Sequence, residues 1–317
     1  MATVYLGIDV GSISTKGVVL DNNFNVITYE YLRTKGRPIE AVLNLIRTFK
    51  ERIGNNVKFG GVGTTGSGRR LAGVMIGADI VKNEIIAHAI AASHFYPDCQ
   101  TVIEIGGQDS KIIILRNGIP VDFAMNTVCA AGTGSFLDHQ AQRLGIPIEE
   151  FGKLALKAKT KVNIAGRCTV FAESDMIHKA QLGFPIESII AGLCEAIVRN
   201  YLNVVAKGKE IKPLILFQGG VAANVGVKEA FKKELKQEII VPEYFLVMGA
   251  IGAAILAKEE TNGNGSKFYG FEIANCDFET KAVECEGCAN RCEIIHTYRN
   301  NELIDIYGDR CGKWSGG

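Results

Sequence analysis

Apolar residues follow two rhythms along the chain, and the alternation between them sets the expected fold. Short β-type runs bounded by glycine or polar residues lie at both ends of residues 6–20, then at 24–33, 57–62, 101–105, 112–115, 119–125 and 214–217. Between them apolar residues recur at helical spacing. Behind Pro38, the positions Ile39, Val42, Leu43, Ile46 and Phe49 predict an amphipathic helix over Pro38–Ile53. Further helices are expected over 83–95, 136–144, 185–206 and 227–236, and a small-residue helix begins within 244–254 and ends near Lys258. Strands and helices in this order predict an α/β chain.

Residues 6–20 organise the rest. Two β-type runs flank a tip holding Gly11, Ser12, Ile13, Ser14, Thr15 and Lys16. An ordinary hairpin tip is shorter and carries Asn-Gly or Asp-Gly. Here backbone amides, hydroxyls and one ammonium can converge on an anion. Asp9 lies inside the incoming strand, where a charge needs a partner or a cation. Lys16 and Asp9 together suggest a phosphate handled with Mg²⁺. The design returns 95 residues later within 102–115: Gly11 falls on Gly106, Lys16 on Lys111, Leu20 on Leu115 and Asp9 on Glu104. One such hairpin is usually only a turn. Two in register imply a duplicated unit, hence two similar lobes that each point a hairpin into a shared cleft, with a nucleotide as the default ligand.

A competing pattern is the GxGxxG of Gly61, Gly63 and Gly66, with Asp79 and Glu84 near ribose-binding distance. A dinucleotide site needs a helix packed behind the third glycine. Ser67-Gly68-Arg69-Arg70 is too glycine-rich for a clean helix start, so a cleft-lining turn is expected instead.

Composition narrows the class. With 317 residues the chain has room for two domains, and 47% hydrophobic with 22% charged residues is ordinary for a globular protein. A net charge of +1 gives no electrostatic case for nucleic acid or a membrane surface. No apolar run reaches the ~18 residues that span a bilayer. Residues 1–20 enter a strand without a cleavable signal, so a cytoplasmic protein is expected. In that setting nine cysteines point to metal or cluster ligation rather than disulfides.

Cys129 and Cys168 share a setting, each at or just before an expected helix start, where the dipole favours negative charge. Two small buried residues are the plain reading of such cysteines; ligation is the other. Two thiolates do not complete a four-thiolate site, whereas a two-fold dimer supplies the pair twice. The His88 and His94 positions lack ligand companions and read as ordinary histidines. Residues 261–267 read as a linker. Beyond it Cys285, Cys288 and Cys292 stand in C-x2-C-x3-C spacing, with Cys311 after eighteen further residues. Structural Zn²⁺ is the first expectation for these four, an iron–sulfur cluster the second and an unmetallated tail the third, with Cys276 as a substitute ligand. Cys99 and Cys194 read as packing.

On these residues the chain resembles known proteins. The doubled hairpins with Gly219-Gly220 are similar to the acetate and sugar kinase/heat-shock 70/actin superfamily. Cys129-Ala-Ala-Gly-Thr-Gly and Cys168-Thr-Val-Phe-Ala-Glu-Ser resemble, more specifically, the activators of 2-hydroxyacyl-CoA dehydratases and the related ATPase subunits of benzoyl-CoA reductases, over about residues 3–258. The resemblance implies an actin-like ATPase fold of two duplicated ribonuclease-H-like lobes with a nucleotide cleft between them. Lobe I is expected over 1–97, with 245–260 packing back on it. Lobe II, over 98–244, carries the cluster cysteines and the adenosine site, and 261–317 form a linker and a Cys-rich extension. The resemblance also implies a homodimer holding one [4Fe-4S] cluster by Cys129 and Cys168 of both subunits. ATP hydrolysis then drives one low-potential electron onto a partner iron–sulfur enzyme, with ferredoxin or flavodoxin as donor.

In this reading Gly11, Ser12, Ile13, Ser14, Thr15 and Lys16 hold the β/γ-phosphates, and Gly107, Gln108 and Asp109 face them from the second lobe. Asp9 and Asp109 are the candidates for Mg²⁺, directly or through water, and with Lys16 and Gln108 form the catalytic set. Gly132 and Thr133 join the nucleotide-binding set, and Gly219, Gly220, Val221, Asn224 and Gly249 line the adenosine. Glu173 is given no catalytic role, since it equally caps or pairs at the cluster helix. Two other classes share the fold: a sugar or carboxylate kinase, for which the hairpins alone suffice, and a nucleotide switch whose tail recruits partners.

Overall fold

The computed structural model describes residues 1–126 and 130–315. In its first sheet, β1 (Ala2–Val10) turns into β2 (Ser14–Leu20) and β3 (Val26–Arg33) continues the meander. α1 (Pro38–Ile53) fills the range its apolar period predicts, with Pro38 in the first turn and Lys50 and Arg52 in the last, the order a helix dipole favours. β4 (Val57–Thr65) runs parallel beside β1, α2 (Arg69–Ile76) follows, and β5 (Ile80–Val81) completes the order β3-β2-β1-β4-β5. Val4, Leu6, Ile8, Leu45, Phe49 and Met75 form the core beneath α1 and α2. The glycines around Arg69 argue against a helix there, yet one forms. Gly68 N–H donates to Val10 O and Ala72 N–H to Gly68 O, so a contact from a distant strand sets the first turn in place of local propensity.

α3 (Glu84–Phe95), expected within lobe I, joins the second sheet: its buried His88 has Nδ1 2.8 Å from Gln218 Nε2. β6 (Thr101–Ile105), β7 (Ser110–Arg116) and β8 (Ile119–Asn126) repeat the opening meander. α4 (Gly134–Arg143), α5 (Ile148–Ala155), α6 (Thr169–Gln181) and α7 (Ile186–Val204) come next. β9 (Ile215–Gln218), α8 (Val225–Leu235) and β10 (Ile239–Ile240) then complete a sheet of order β10-β9-β6-β7-β8. As β4 does beside β1, β9 runs parallel beside β6, so the duplication reaches from the hairpins to the whole sheet. α7 carries the core of this unit: Ile189, Ile190, Leu193, Ile197 and Tyr201 are buried, and the Tyr201 hydroxyl donates to Lys111 O at 2.7 Å.

α9 (Met248–Thr261) returns to the first sheet. A Cβ on Gly7, Gly61 or Gly63 would stand 1.8 Å from Ala250 O, 2.6 Å from Ala257 O and 2.2 Å from Ala253 O respectively. Only glycine lets the helix backbone lie this close, and two glycines of the GxGxxG serve this seat. The Asp79 carboxylate accepts from Val62 N–H, the Ser266 hydroxyl and Lys267 N–H at 2.8, 2.5 and 2.7 Å, and Glu84 pairs with Arg69 at 3.5 Å. Both acids hold the chain together, and the dinucleotide reading falls.

The residues after α9 pack on the first sheet's unit. A 3-10 turn, Phe271–Asn275, places Phe271, Ile273 and Ala274 in its core, Arg47 donates to Ala274 O at 2.6 Å, and Arg70 pairs with Asp305 at 3.3 Å. β11 (Phe278–Glu284), β12 (Glu293–Arg299) and β13 (Glu302–Tyr307) form a three-stranded antiparallel sheet. By contacts the chain divides into Met1–Glu84 with Gly249–Gly317, and Ile85–Met248. Among the described residues no helix is long and apolar enough to cross a membrane.

Candidate functional site

The two hairpin tips are built alike. Gly11 N–H donates to Ser14 O at 2.9 Å in the first, and Gly106 N–H to Asp109 O at 2.9 Å in the second. Asp9 stands opposite Lys16 and Glu104 opposite Lys111 in the strand register, with an ammonium–carboxylate distance of 3.1 Å in both. Each in-strand charge is thereby balanced across its own ladder. Ser12 is exposed at the first tip, Gly11, Ile13 and Lys16 are half-buried, and Ser14 and Thr15 are buried. The Thr15 and Thr34 hydroxyls share a hydrogen bond of 3.0 Å, and the Thr34 hydroxyl also lies 2.9 Å from its acceptor Gly11 O. Thr15 is thus engaged inside the hairpin, and Thr34, which sequence reasoning misses, braces the tip from behind.

In the second tip Gln108 is exposed, and Gly107 and Asp109 are half-buried. Lys111 also reaches Asp109 at 2.8 Å. Burial alone would lower this lysine's pKa, but the Glu104 carboxylate and then Asp109 outweigh it and hold it above its ordinary value. Burial, with the Glu104 charge adding to it, likewise raises the Tyr201 phenol.

The start of α4 is stitched to this tip. Gly134 N–H donates to Gly106 O at 2.8 Å, and Ser135 donates its N–H and hydroxyl to Gly107 O at 2.9 and 2.5 Å. The fully buried Thr133 is the N-cap residue of α4, and Gly132 ends the 3-10 turn before it. Cys129 lies outside the described residues. Cys168 is a free, half-buried cysteine at the N-cap of α6, with no side-chain cap bond. The loop before it is held by Asp175, which accepts from Ala165 N–H at 2.8 Å, and Glu173 pairs with Arg143 of α4 at 2.7 Å.

Asn200 on α7 lies against Gly132 of the first cysteine motif and binds the loop before Cys168. Its Nδ2 donates to Gly166 O at 2.6 Å, and a Cβ on Gly132 would meet its Oδ1 at 2.6 Å. The side chain is buried, and among the described residues Oδ1 has no hydrogen-bond partner. Sequence reasoning misses Asn200, although the signal is present: one amide among Ile197, Tyr201 and Val204 on an apolar helix face, where a polar group must bind something.

Of the residues expected at the adenosine, Gly219 and Asn224 also serve the fold. Gly219 (φ +85°) packs so tightly that a Cβ would meet Ile105 O at 2.5 Å and Glu104 Oε1 at 2.6 Å. Gly220 and the buried Val221 lie in the 3-10 turn Gly220–Ala223. Asn224 caps α8, its Oδ1 accepting from Gly226 and Val227 N–H at 3.0 and 3.1 Å, while among the described residues its buried Nδ2 has no partner. Gly249 is buried in the first turn of α9.

The remaining cysteines divide sharply. Burial pushes the Cys99 thiol up to about 11 and the Cys194 thiol, with Glu195 adding to it, up to about 12, as inert packing residues. Cys276 packs against the core of the first unit. Cys285 and Cys292 are half-buried, and Cys288 and Cys311 are exposed. Among the described residues no three His, Cys, Asp or Glu side chains are grouped closely enough to hold a metal ion. No three of the four cysteines expected from spacing to share a metal are grouped, and Cys285 Sγ accepts N–H bonds from Gly287 and the Trp314 indole.

Comparison with known proteins supplies the family. Residues 6–257 match the BadF/BadG/BcrA/BcrD ATPase family. The (R)-2-hydroxyglutaryl-CoA dehydratase activating ATPase of Acidaminococcus fermentans is 35% identical over 264 residues, 81% of this chain and 98% of that protein. The 2-hydroxyisocaproyl-CoA dehydratase activator of Clostridioides difficile is 34% identical over 262 residues, 80% of this chain and 95% of that one. A solved structure, the activator of the 2-hydroxyisocaproyl-CoA dehydratase from Clostridium difficile with bound ADPNP, superposes with a TM-score of 0.76 at 32% identity, covering 82% of this chain and 96% of that one. With these relatives the chain shares the actin-like ATPase fold. Matched length, identity and three-dimensional likeness agree: the chain belongs to the BadF/BadG/BcrA/BcrD ATPase family.

Proposed function

We propose that this ATPase is an activator of a 2-hydroxyacyl-CoA dehydratase or related reductase, working as a homodimer that passes one low-potential electron to that iron–sulfur enzyme. The observation that carries the reading is the bonding of the α4 start to the second hairpin. Through Gly106 O and Gly107 O, a shift at Gln108 or Asp109 acts on the segment that bears Cys129, and Asn200 links that segment to the loop before Cys168. A nucleotide-dependent movement of the tip is thereby passed to both cysteine motifs.

The residues present fit MgATP. Lys16, the exposed Ser12 and the tip amides would hold the β/γ-phosphates, with Asp9 in the first unit and Asp109 in the second as the candidates for Mg²⁺. Gln108 would orient the attacking water, and Gly219, Gly220, Val221, Asn224 and Gly249 would face the adenosine. A [4Fe-4S] cluster would be held by Cys129 and Cys168 of each subunit and, when bound, would supply one-electron redox chemistry. Cys168 stands at an uncapped helix start, and Val170 and Phe171 beside it are 66% and 64% exposed, an apolar surface suited to a second copy. Ferredoxin or flavodoxin would be the donor.

Anaerobic purification tests this reading. About four irons per dimer with a brown chromophore are expected from this shared site, and that iron is lost in Cys129→Ser and in Cys168→Ser. A colourless dimer after iron–sulfur reconstitution overturns the redox role, and leaves a phosphotransferase on the same fold.

A further inference from the structure

We propose that the C-terminal sheet carries a metal site of its own, a four-thiolate centre of Cys285, Cys288, Cys292 and Cys311 for a thiophilic metal, Zn²⁺ or an iron–sulfur cluster. The site lies beyond the matched residues 6–257 and is independent of the nucleotide reading. Free cysteine is among the most buried residue types, as Cys99 and Cys194 illustrate. None of these four is buried. Among residues 285–292, which join β11 to β12, none is buried, and β11 itself buries only Phe278. A loop with no packed core is held by a staple, and bound metal is one that contributes folding energy directly.

The backbone already brackets the cysteines. Cys285 N–H donates to Cys292 O at 2.8 Å and Arg291 N–H to Cys288 O at 3.2 Å. Cys285 Sγ takes N–H bonds from Gly287 at 3.4 Å and from the Trp314 indole at 3.3 Å, the outer-shell contacts that metal-bound sulfur takes. Cys311 lies between two anchors on the same loop. On one side Gly308 (φ +112°) presses on Glu293, next to Cys292, so closely that a Cβ would meet Glu293 O at 2.1 Å. On the other, Trp314 holds Cys285 by its indole and the Asp309 carboxylate by its backbone N–H at 2.8 Å. The sulfurs do not yet share one point, so binding draws the exposed Cys288 and Cys311 inward, a movement confined to the loop and the C-terminal turn. C-x2-C-x3-C with a fourth cysteine from a neighbouring strand end matches tetrahedral thiolate ligation.

The test uses the full chain with Cys129→Ser and Cys168→Ser, so that iron held by those residues does not enter. Zn²⁺ is titrated against a chromophoric chelator while the emission of Trp314, the single tryptophan, is followed, and Co²⁺ is used as a spectroscopic probe. About one Zn²⁺ per chain, a change in Trp314 emission and a tetrahedral Co²⁺–thiolate spectrum are expected. Cys288→Ser and Cys311→Ser should each weaken binding tenfold or more, and Cys276→Ser should leave it unchanged. Iron with sulfide, bound as isolated and lost with the same two variants, identifies the cluster form of the site. Binding unaltered by Cys288→Ser and Cys311→Ser, or a chain that takes up neither metal form, overturns the proposal.

Discussion

Replacing Lys111 by methionine tests whether buried charge holds the second hairpin. The Lys111 side chain is 5% exposed and that of Glu104 7%, at a separation of 3.1 Å. Methionine keeps most of the aliphatic volume, so the packing change is small. The loss is electrostatic: Glu104 keeps its charge in a buried strand after its ammonium is gone. Breaking a buried pair by removing one partner costs about 3–5 kcal/mol. Asp109, 36% exposed, is screened by water and adds little. At roughly 2–4 °C per kcal/mol for a unit of this size, the unfolding midpoint should fall by roughly 6–20 °C. Adding Glu104→Gln removes the stranded charge, so the double variant should recover much of the loss. The assay is thermal unfolding of the full chain for both singles and the double, read as a double-mutant cycle. A Lys111→Met midpoint within about 2 °C of the parent, or a double variant worse than the sum of the singles, refutes the reasoning. The pH dependence has a definite sign. The lysine pKa is raised, so its contribution is fully present below the unfolded value of about 10.4 and is lost only as pH rises through the folded one. The midpoint difference should therefore be flat between about pH 6 and about pH 9.

The same geometry sets three further outcomes. Gly63→Ala puts a methyl 2.2 Å from Ala253 O, and over-packing of that kind should cost about 1–3 kcal/mol in urea unfolding; a change under about 0.5 kcal/mol would mean that α9 is not seated on backbone. Asn200→Ala leaves Gly166 O without its buried donor and should cost about 1–3 kcal/mol, with faster amide exchange over 164–168; unchanged exchange there would separate Asn200 from the Cys168 loop. Asp309 has its pKa lowered by the Trp314 backbone N–H and then by the Ser315 hydroxyl. The contact is present above the unfolded value of about 3.9 and lost as pH falls through the lower folded one, so Trp314 emission should change only below about pH 4. Asp309→Asn should abolish that acid transition.

How much is legible from sequence depends on how local each signal is. α1 is legible because one amphipathic stripe with Pro38 ahead of it suffices, and the hairpins because their spacing repeats. α2 is hidden because its first turn is set by Val10 O, a strand away. α4 starts at Gly134, two residues before the expected Phe136, because Gly106 O takes its first N–H. The GxGxxG misleads for the same reason: its first two glycines answer to Ala257 and Ala253, far along the chain. β11 shows no alternation, exposing six of seven residues, and so leaves nothing for a period-two pattern to detect. Of the two hairpin tips, the opposed charges and the glycines are legible from type and spacing. Thr34 and Asn200, which hold them from behind, emerge only once partners are known.

The duplicated hairpins have drifted apart in one respect that matters for evolution on this fold. Lys16 is 18% exposed where it meets Asp9, whereas Lys111 is 5% exposed and clasped by both Glu104 and Asp109. One copy thus keeps an ammonium that water still reaches, and its twin has become a rivet inside the sheet. Symmetry of the two copies stops at the solvent boundary, which one lysine meets and the other does not.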